Sequence, residues 1–140
     1  MLIERVQASD CYVLRESILR PGQPKENWTF DLDEDQRSIH LAMMDRGIVV
    51  AIVSLLPEQK NDCSWRLRGM AVLQKFRGQG IGKQLVAMLF SMTKGGIWCT
   101  ARKNIHGFYL SNGFELFDDE FIMNDMPHVY MRRHSLSKIA

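Results

Sequence analysis

Nowhere is this chain apolar for long. Its longest apolar run, Ile48 to Leu56, is interrupted by Ser54 and falls far short of the roughly 20 residues that an α-helix needs to cross a bilayer. That excludes a helical membrane anchor there. Cysteine is scarce: Cys11, Cys63 and Cys99 are widely spaced, so they form neither a disulfide framework nor a zinc-ligand spacing. Each is expected to be a small buried apolar side chain, and no metal site is expected. An excess of one charge is also missing. Eighteen Lys and Arg against sixteen Asp and Glu leave a net charge of +2, without the basic excess of a general nucleic-acid binder. Repeats, low-complexity segments and dividing linkers are absent too, so residues 1–140 are expected to form one domain, long enough to bury a core. Met1 to Val6 is short and carries Glu4 and Arg5, unlike a secretion signal. A cytoplasmic location is the expectation.

What is present is a regular succession of strand and helix patterns. Leu2 to Val6 alternates weakly and reads as a first strand. Ser9 or Asp10 can cap a helix reaching to about Arg20, with Val13, Leu14, Ile18 and Leu19 on its apolar face, stopped by Pro21-Gly22-Gln23-Pro24. Lys25 to Arg37 reads as an irregular loop or short helix carrying Trp28 and Phe30. Ser38 to Met44 alternates, Asp45-Arg46-Gly47 signals a hairpin, and Gly47 to Leu56 reads as a buried strand. Ser64 to Leu73 follows, with Trp65, Leu67, Gly69, Ala71 and Leu73 expected on one face. These three strands should form an antiparallel meander. A helix is expected from about Gly80 to Thr93 and a short buried strand over Ile97 to Ala101. The intervening helix makes this strand parallel to its predecessor. A short helix at Asn104 to Ser111 and strands at Phe114 to Met123 and His128 to Arg132 complete the chain.

The densest chemical signal is Arg77-Gly78-Gln79-Gly80-Ile81-Gly82-Lys83, between a strand and a helix. Glycine permits tight turns and close backbone approach to a ligand. The first N–H groups of a helix lack internal partners and sit at the positive end of its dipole, which suits a phosphate or pyrophosphate. Two nucleotide motifs fail here. A P-loop requires Gly where Arg77 stands and Ser or Thr where Gln84 stands, and a dinucleotide fingerprint requires Gly where Lys83 or Leu85 stands.

Arg77, Gly80 and Gly82 do satisfy Arg/Gln-x-x-Gly-x-Gly/Ala, with Val72 five residues upstream. This resembles the acetyl-CoA pyrophosphate loop of the GNAT N-acetyltransferase superfamily. Phe108-Tyr109-Leu110-Ser111-Asn112-Gly113-Phe114 resembles the Tyr-x-x-x-Gly-Phe segment that follows the fifth strand of that family. Met126-Pro127-His128-Val129-Tyr130-Met131 is similar to the Ile-Pro-His-x-x-Met ending of a small single-domain subgroup. The strong resemblance covers about residues 66 to 133; the N-terminal half matches by element order and Leu14-Arg15.

The resemblance implies an α/β fold of the α+β kind, the GNAT fold. Its mixed sheet would have about six to seven strands, mostly antiparallel, with a parallel, splayed fourth and fifth pair and about four flanking helices. It implies an acyltransferase that moves acetyl from acetyl-CoA to the amine of a small molecule or peptide by direct transfer in a ternary complex. The alternative is a non-catalytic acyl-CoA-binding module. Neither nucleic acid nor membrane is an expected partner; a homodimer is left open. By position, Met70, Ala71 and Val72 would bond the pantetheine arm, and Arg77, Gly78, Gln79, Gly80, Ile81, Gly82 and Lys83 would hold the pyrophosphate. Tyr109 matches the tyrosine that protonates the departing thiolate. Where many members have an Asn that touches CoA, this chain has Arg102; Asn104, two residues on, either reaches the cofactor or caps the short helix. In the family a Glu or a water chain from the fourth strand often takes the amine proton; no Glu lies between Trp65 and Leu73 here, which leaves a water path, or His40 or His128, each otherwise a structural side chain. Cys99 lies in an apolar strand, which disfavours an acetyl-enzyme route. Arg66 and Arg68 would favour an anionic group on the acceptor if they face the cleft, and Trp28 and Phe30, in the loop that lines the acceptor site in the family, either line it or belong to the core.

Overall fold

The computed structural model describes residues 1–134. Their strands are β1 (Leu2–Val6), β2 (Ile39–Asp45), β3 (Ile48–Leu56), β4 (Cys63–Val72), β5 (Gly96–Arg102), β6 (Glu115–Met123) and β7 (Met126–Arg133). They form one seven-stranded sheet in the order β1-β2-β3-β4-β5-β7-β6. All neighbours are antiparallel except β4 and β5. The α-helices among the described residues are α1 (Tyr12–Leu14), α2 (Ile81–Met92) and α3 (Gly107–Ser111), somewhat fewer than the sequence suggested.

The difference lies mainly in the N-terminal helix. Residues 8–19 are helical, but Ala8–Cys11 is a 3-10 turn and Arg15–Leu19 a π-turn, so only α1 between them is α-helical. The start also lies earlier than expected: Asp10 accepts a hydrogen bond from the Gln7 backbone N–H at 3.0 Å.

Apolar alternation packs both faces of the sheet. On one face α2 lays Ile81, Leu85, Val86, Leu89 and Phe90 against Leu41, Val53, Leu67, Ile97 and Met131. On the other, Cys11 and Leu14 cover Ala42, Ile52 and Ala71. All three cysteines are buried.

Two features of β4 shape the cleft. Its pairing with β5 runs only from Cys63↔Gly96 to Arg66↔Trp98, while β5 continues along β7 to Arg102↔His128. Beyond Arg66 the two strands part. The second feature is a bulge: Ser54 pairs Arg68 and Ile52 pairs Ala71, so Gly69 and Met70 together oppose Val53. Gly69 sits at φ +68, the left-handed conformation that a glycine bulge requires. The extra residue reverses the alternation. Met70 and Val72 join Leu67 on the α2 face, and Ala71 turns to the opposite one. The strict period-two reading of this strand therefore fails at Gly69.

Candidate active site

The parting of β4 from β5 leaves the β5-side edge of β4 beyond Arg66 without a strand neighbour among the described residues, the kind of edge that accepts an extended ligand. A cavity of about 580 Å³ opens along it. Met70, Ala71 and Val72 form one wall, and Arg77, Gly78, Gly80, Ile81, Gly82 and Lys83 form its far end. Ile18 and Leu19 enter from the N-terminal helical stretch, Phe108, Ser111 and Asn112 from α3 and its end.

The glycine loop is built for close approach. Gly80 caps α2 at φ 78, and Gly78 has φ 77. The first loop-to-helix bond runs from the Gln84 N–H to the Gly80 carbonyl at 3.1 Å, which leaves the N–H groups of Ile81, Gly82 and Lys83 for a ligand. At Gly82 a Cβ would lie 3.0 Å from the Phe108 ring, so glycine lets α3 press against the helix start. The Arg77 Nε donates to the Val72 carbonyl at 3.0 Å, fastening the loop to the strand end. These donors and this shape fit a diphosphate with a slender extended arm. Gln79 and Asn104 are exposed and line neither this cavity nor the next.

A second, smaller cavity of about 290 Å³ lies in the gap between the parted strands, lined by Leu67, Arg68 and Met70 of β4 and Thr100 of β5. Met70 and Leu19 line both cavities, so the two adjoin there. Tyr109 of α3 reaches the second one. Its ring is held edge-on by Phe108 and Phe114 at 5.1 and 5.4 Å. Its hydroxyl has no hydrogen-bond partner among the described residues. Burial, then the neighbouring Cys99, raises its pKa well above the usual phenol range, so it is a protonated donor at neutral pH and no base. Cys99 itself is pushed from 9.0 up to about 12 by burial, which leaves no thiolate for an acetyl-enzyme.

Neither histidine is placed as a base. His40 Nε2 lies 2.9 Å from the Asp33 carbonyl and donates there, and Nδ1 lies 2.7 Å from Ser54 Oγ. It is a buried structural imidazole. His128 is tied to the Met126 carbonyl at 2.9 Å and stacks near Phe121. Among the described residues no Asp, Glu or His lines either cavity.

The arginines carry the polar side of the second cavity. Arg15 is fully buried and grips Asp33 with two bonds of 2.7 and 2.9 Å, with a third to Ser54 Oγ at 2.9 Å. The π-turn that begins at Arg15 belongs to the same stretch of chain. Sequence periodicity could not show this cluster, because its partners stand 18 and 39 residues away. Arg66 pairs with Glu58 at 3.1 Å. Phe30 lies between two guanidinium groups, Arg15 at 4.0 Å and Arg68 at 3.9 Å from the ring centre. Trp28 also lines this cavity and packs on Tyr12 at 5.3 Å.

This open, mixed sheet with one parallel, splayed pair defines a GNAT fold. The model for the acetyltransferase (GNAT) domain matches residues 35–116, and the chain belongs to that family. It is 29% identical over 135 residues to an uncharacterized N-acetyltransferase, YitI, of Bacillus subtilis, covering 91% of this chain and 89% of the relative. Among solved structures it resembles Escherichia coli ElaA, with a TM-score of 0.79 and 16% identity over 95% of this chain and 99% of the other. It also resembles an aminoglycoside 6'-N-acetyltransferase complexed with coenzyme A, with a TM-score of 0.72 and 17% identity over 95% and 96% of the two chains. Among the described residues no helix is long and apolar enough to cross a membrane.

Proposed function

We propose that residues 1–140 act as a single cytoplasmic N-acetyltransferase domain that moves acetyl from acetyl-CoA directly to an amine bound in the smaller cavity. The observation that carries this reading is the junction: the glycine-loop cavity and the Tyr109 cavity adjoin at Met70. Acetyl-CoA supplies an activated thioester. The free edge of β4 at Met70 to Val72 would hold its extended arm, and the α2 N-terminus with Arg77 would hold its diphosphate. Lys83, exposed at the cavity's end, adds positive charge there. Asn104 would join these contacts only through a movement of its exposed turn.

Tyr109 then stands where a leaving sulfur needs a donor. Its raised pKa favours donation of a hydrogen bond over outright loss of the proton before the C–S bond breaks. A thiolate formed in the same poorly solvated spot would be raised as well, which keeps the final proton transfer accessible. Since no carboxylate or imidazole of the described residues lines the two cavities, the acceptor arrives neutral or loses its proton to water.

That missing base is also the observation favouring a second reading, a module that binds acyl-CoA without turnover. Thiol release from acetyl-CoA across a panel of amines, with calorimetric titration of CoA, separates the two. Amine-dependent release supports the transferase. CoA binding without release on any amine supports the binding module.

Aminoglycosides are the substrates in the name of one structural neighbour. At 17% identity only the fold carries over, and the arginine-rich small cavity is unsuited to a polycation.

A further inference from the structure

The smaller cavity has an unbalanced charge. Arg15, Arg20, Arg66 and Arg68 line it, and no Asp or Glu among the described residues does. Two of the four are neutralised from behind, Arg15 by Asp33 and Arg66 by Glu58. Arg20 spends one donor on the Leu19 carbonyl at 2.9 Å, which accepts a bond but cancels no charge. Arg68 has neither a hydrogen bond nor an ion pair among the described residues. It is partly buried, its guanidinium stacked 3.9 Å from the centre of the Phe30 ring, which fixes the plane of its donors without using them. Burial, then the charge of Arg66, brings its pKa down to about 10, so it stays charged at neutral pH at an electrostatic cost.

We propose that the acceptor is an amine that also carries a carboxylate, held by the unpaired guanidinium of Arg68 in the gap between β4 and β5. A planar fork of N–H donors matches a carboxylate in bidentate fashion, and Arg68 is the member of the cluster with its donors uncommitted. Thr100 lines the β5 side of the same gap. Leu67, Met70 and Met123 supply apolar wall for the rest of a small molecule. At about 290 Å³ the space lies at the lower end of ligand cavities, suited to an amino-acid-sized acceptor. The inference rests on the transferase reading only in naming this cavity the acceptor side.

The test compares ligands that differ in one carboxylate, with CoA saturating the protein. The pairs are N-acetylalanine with N-ethylacetamide, N-acetylleucine with N-isopentylacetamide, and N-acetylphenylalanine with N-(2-phenylethyl)acetamide. Calorimetry should show the acid of at least one pair binding roughly tenfold or more tighter, the scale of a charge-assisted bond. Arg68→Gln should abolish that preference while leaving CoA affinity unchanged, and Arg68→Lys should keep part of it. A thermal melt of each variant confirms folding. Equal binding within every pair, no binding by any acid, or a preference that survives Arg68→Gln overturns the proposal. Carboxylate-selective binding without thiol release on any amine would discard the transferase and keep this assignment. Amine-dependent thiol release without carboxylate preference would do the reverse.

Discussion

Gly69 is the residue on which the site's geometry turns. It combines φ +68 with crowding: an added Cβ would lie 3.2 Å from Phe30 Cε2 and 3.4 Å from Arg15 Nε. Gly69→Ala should therefore destabilise the fold by about 1–2 kcal/mol, the cost of the left-handed backbone for a residue with a Cβ. A urea midpoint indistinguishable from the parent would show that the bulge relaxes freely. Its neighbour Arg68 has the opposite sign. A partly buried guanidinium without an ion pair opposes folding, so Arg68→Met, which keeps apolar contact with Phe30, should raise the thermal midpoint of the ligand-free protein. A lowered midpoint would mean that the stacking outweighs the desolvation. A glycine inside a strand pattern is a legible bulge signal. What one sequence could not supply is the partner register that says which way the strand continues.

Among elements, the N-terminal helical stretch and the loop over residues 25–37 are joined by one buried pair. Arg15 is fully buried, and Asp33 in turn caps its own loop, accepting the Phe30 N–H at 2.9 Å. Removing one partner leaves an uncompensated charge, so Asp33→Ala should cost about 3–5 kcal/mol, read as a shift in urea midpoint at constant slope. A loss under 1 kcal/mol would place the pair in effective contact with water. The glycine loop fails differently. Gly80→Asp puts a carboxylate at the helix start, where it should abolish CoA binding by repulsion from the diphosphate and by strain at φ 78. Retained calorimetric affinity would move the diphosphate elsewhere. The loop and α2 were legible because glycine spacing and a period of 3.6 are local. The π-turn at Arg15–Leu19 was not, because its geometry belongs with a side chain reaching a distant carboxylate.

Across the whole molecule, the site is the place where a continuous sheet fails to close. β5 leaves β4 after Trp98 and stays with β7, and the two cavities fill the opening. The meander of β2 to β4 and the parallel pair followed from alternation and the intervening helix, whereas the place of β7 between β5 and β6 and the extent of the parting are set by long-range pairing. The buried thiols give the molecule a pH signature. Burial raises Cys11 from 9.0 to about 11 and Cys99 from 9.0 to about 12. Between those values the unfolded chain has lost protons that the folded one keeps, so the thiols leave stability unchanged from pH 7 to near pH 9 and lower it above that. Arg68 works the other way, but only above about pH 10. Chemical denaturation at pH 7, 9 and 10 checks this, and an undiminished midpoint at pH 10 would contradict it.

In the proposed reaction the two cavities form one site with Tyr109 at the leaving sulfur. The most direct measurement is turnover of Tyr109→Phe alongside its affinity for CoA. The expected result is a fall in turnover of about 10²-fold, the usual scale for losing a general acid, with CoA binding little changed. Unaltered turnover would remove Tyr109 from the reaction and contradict that proposal.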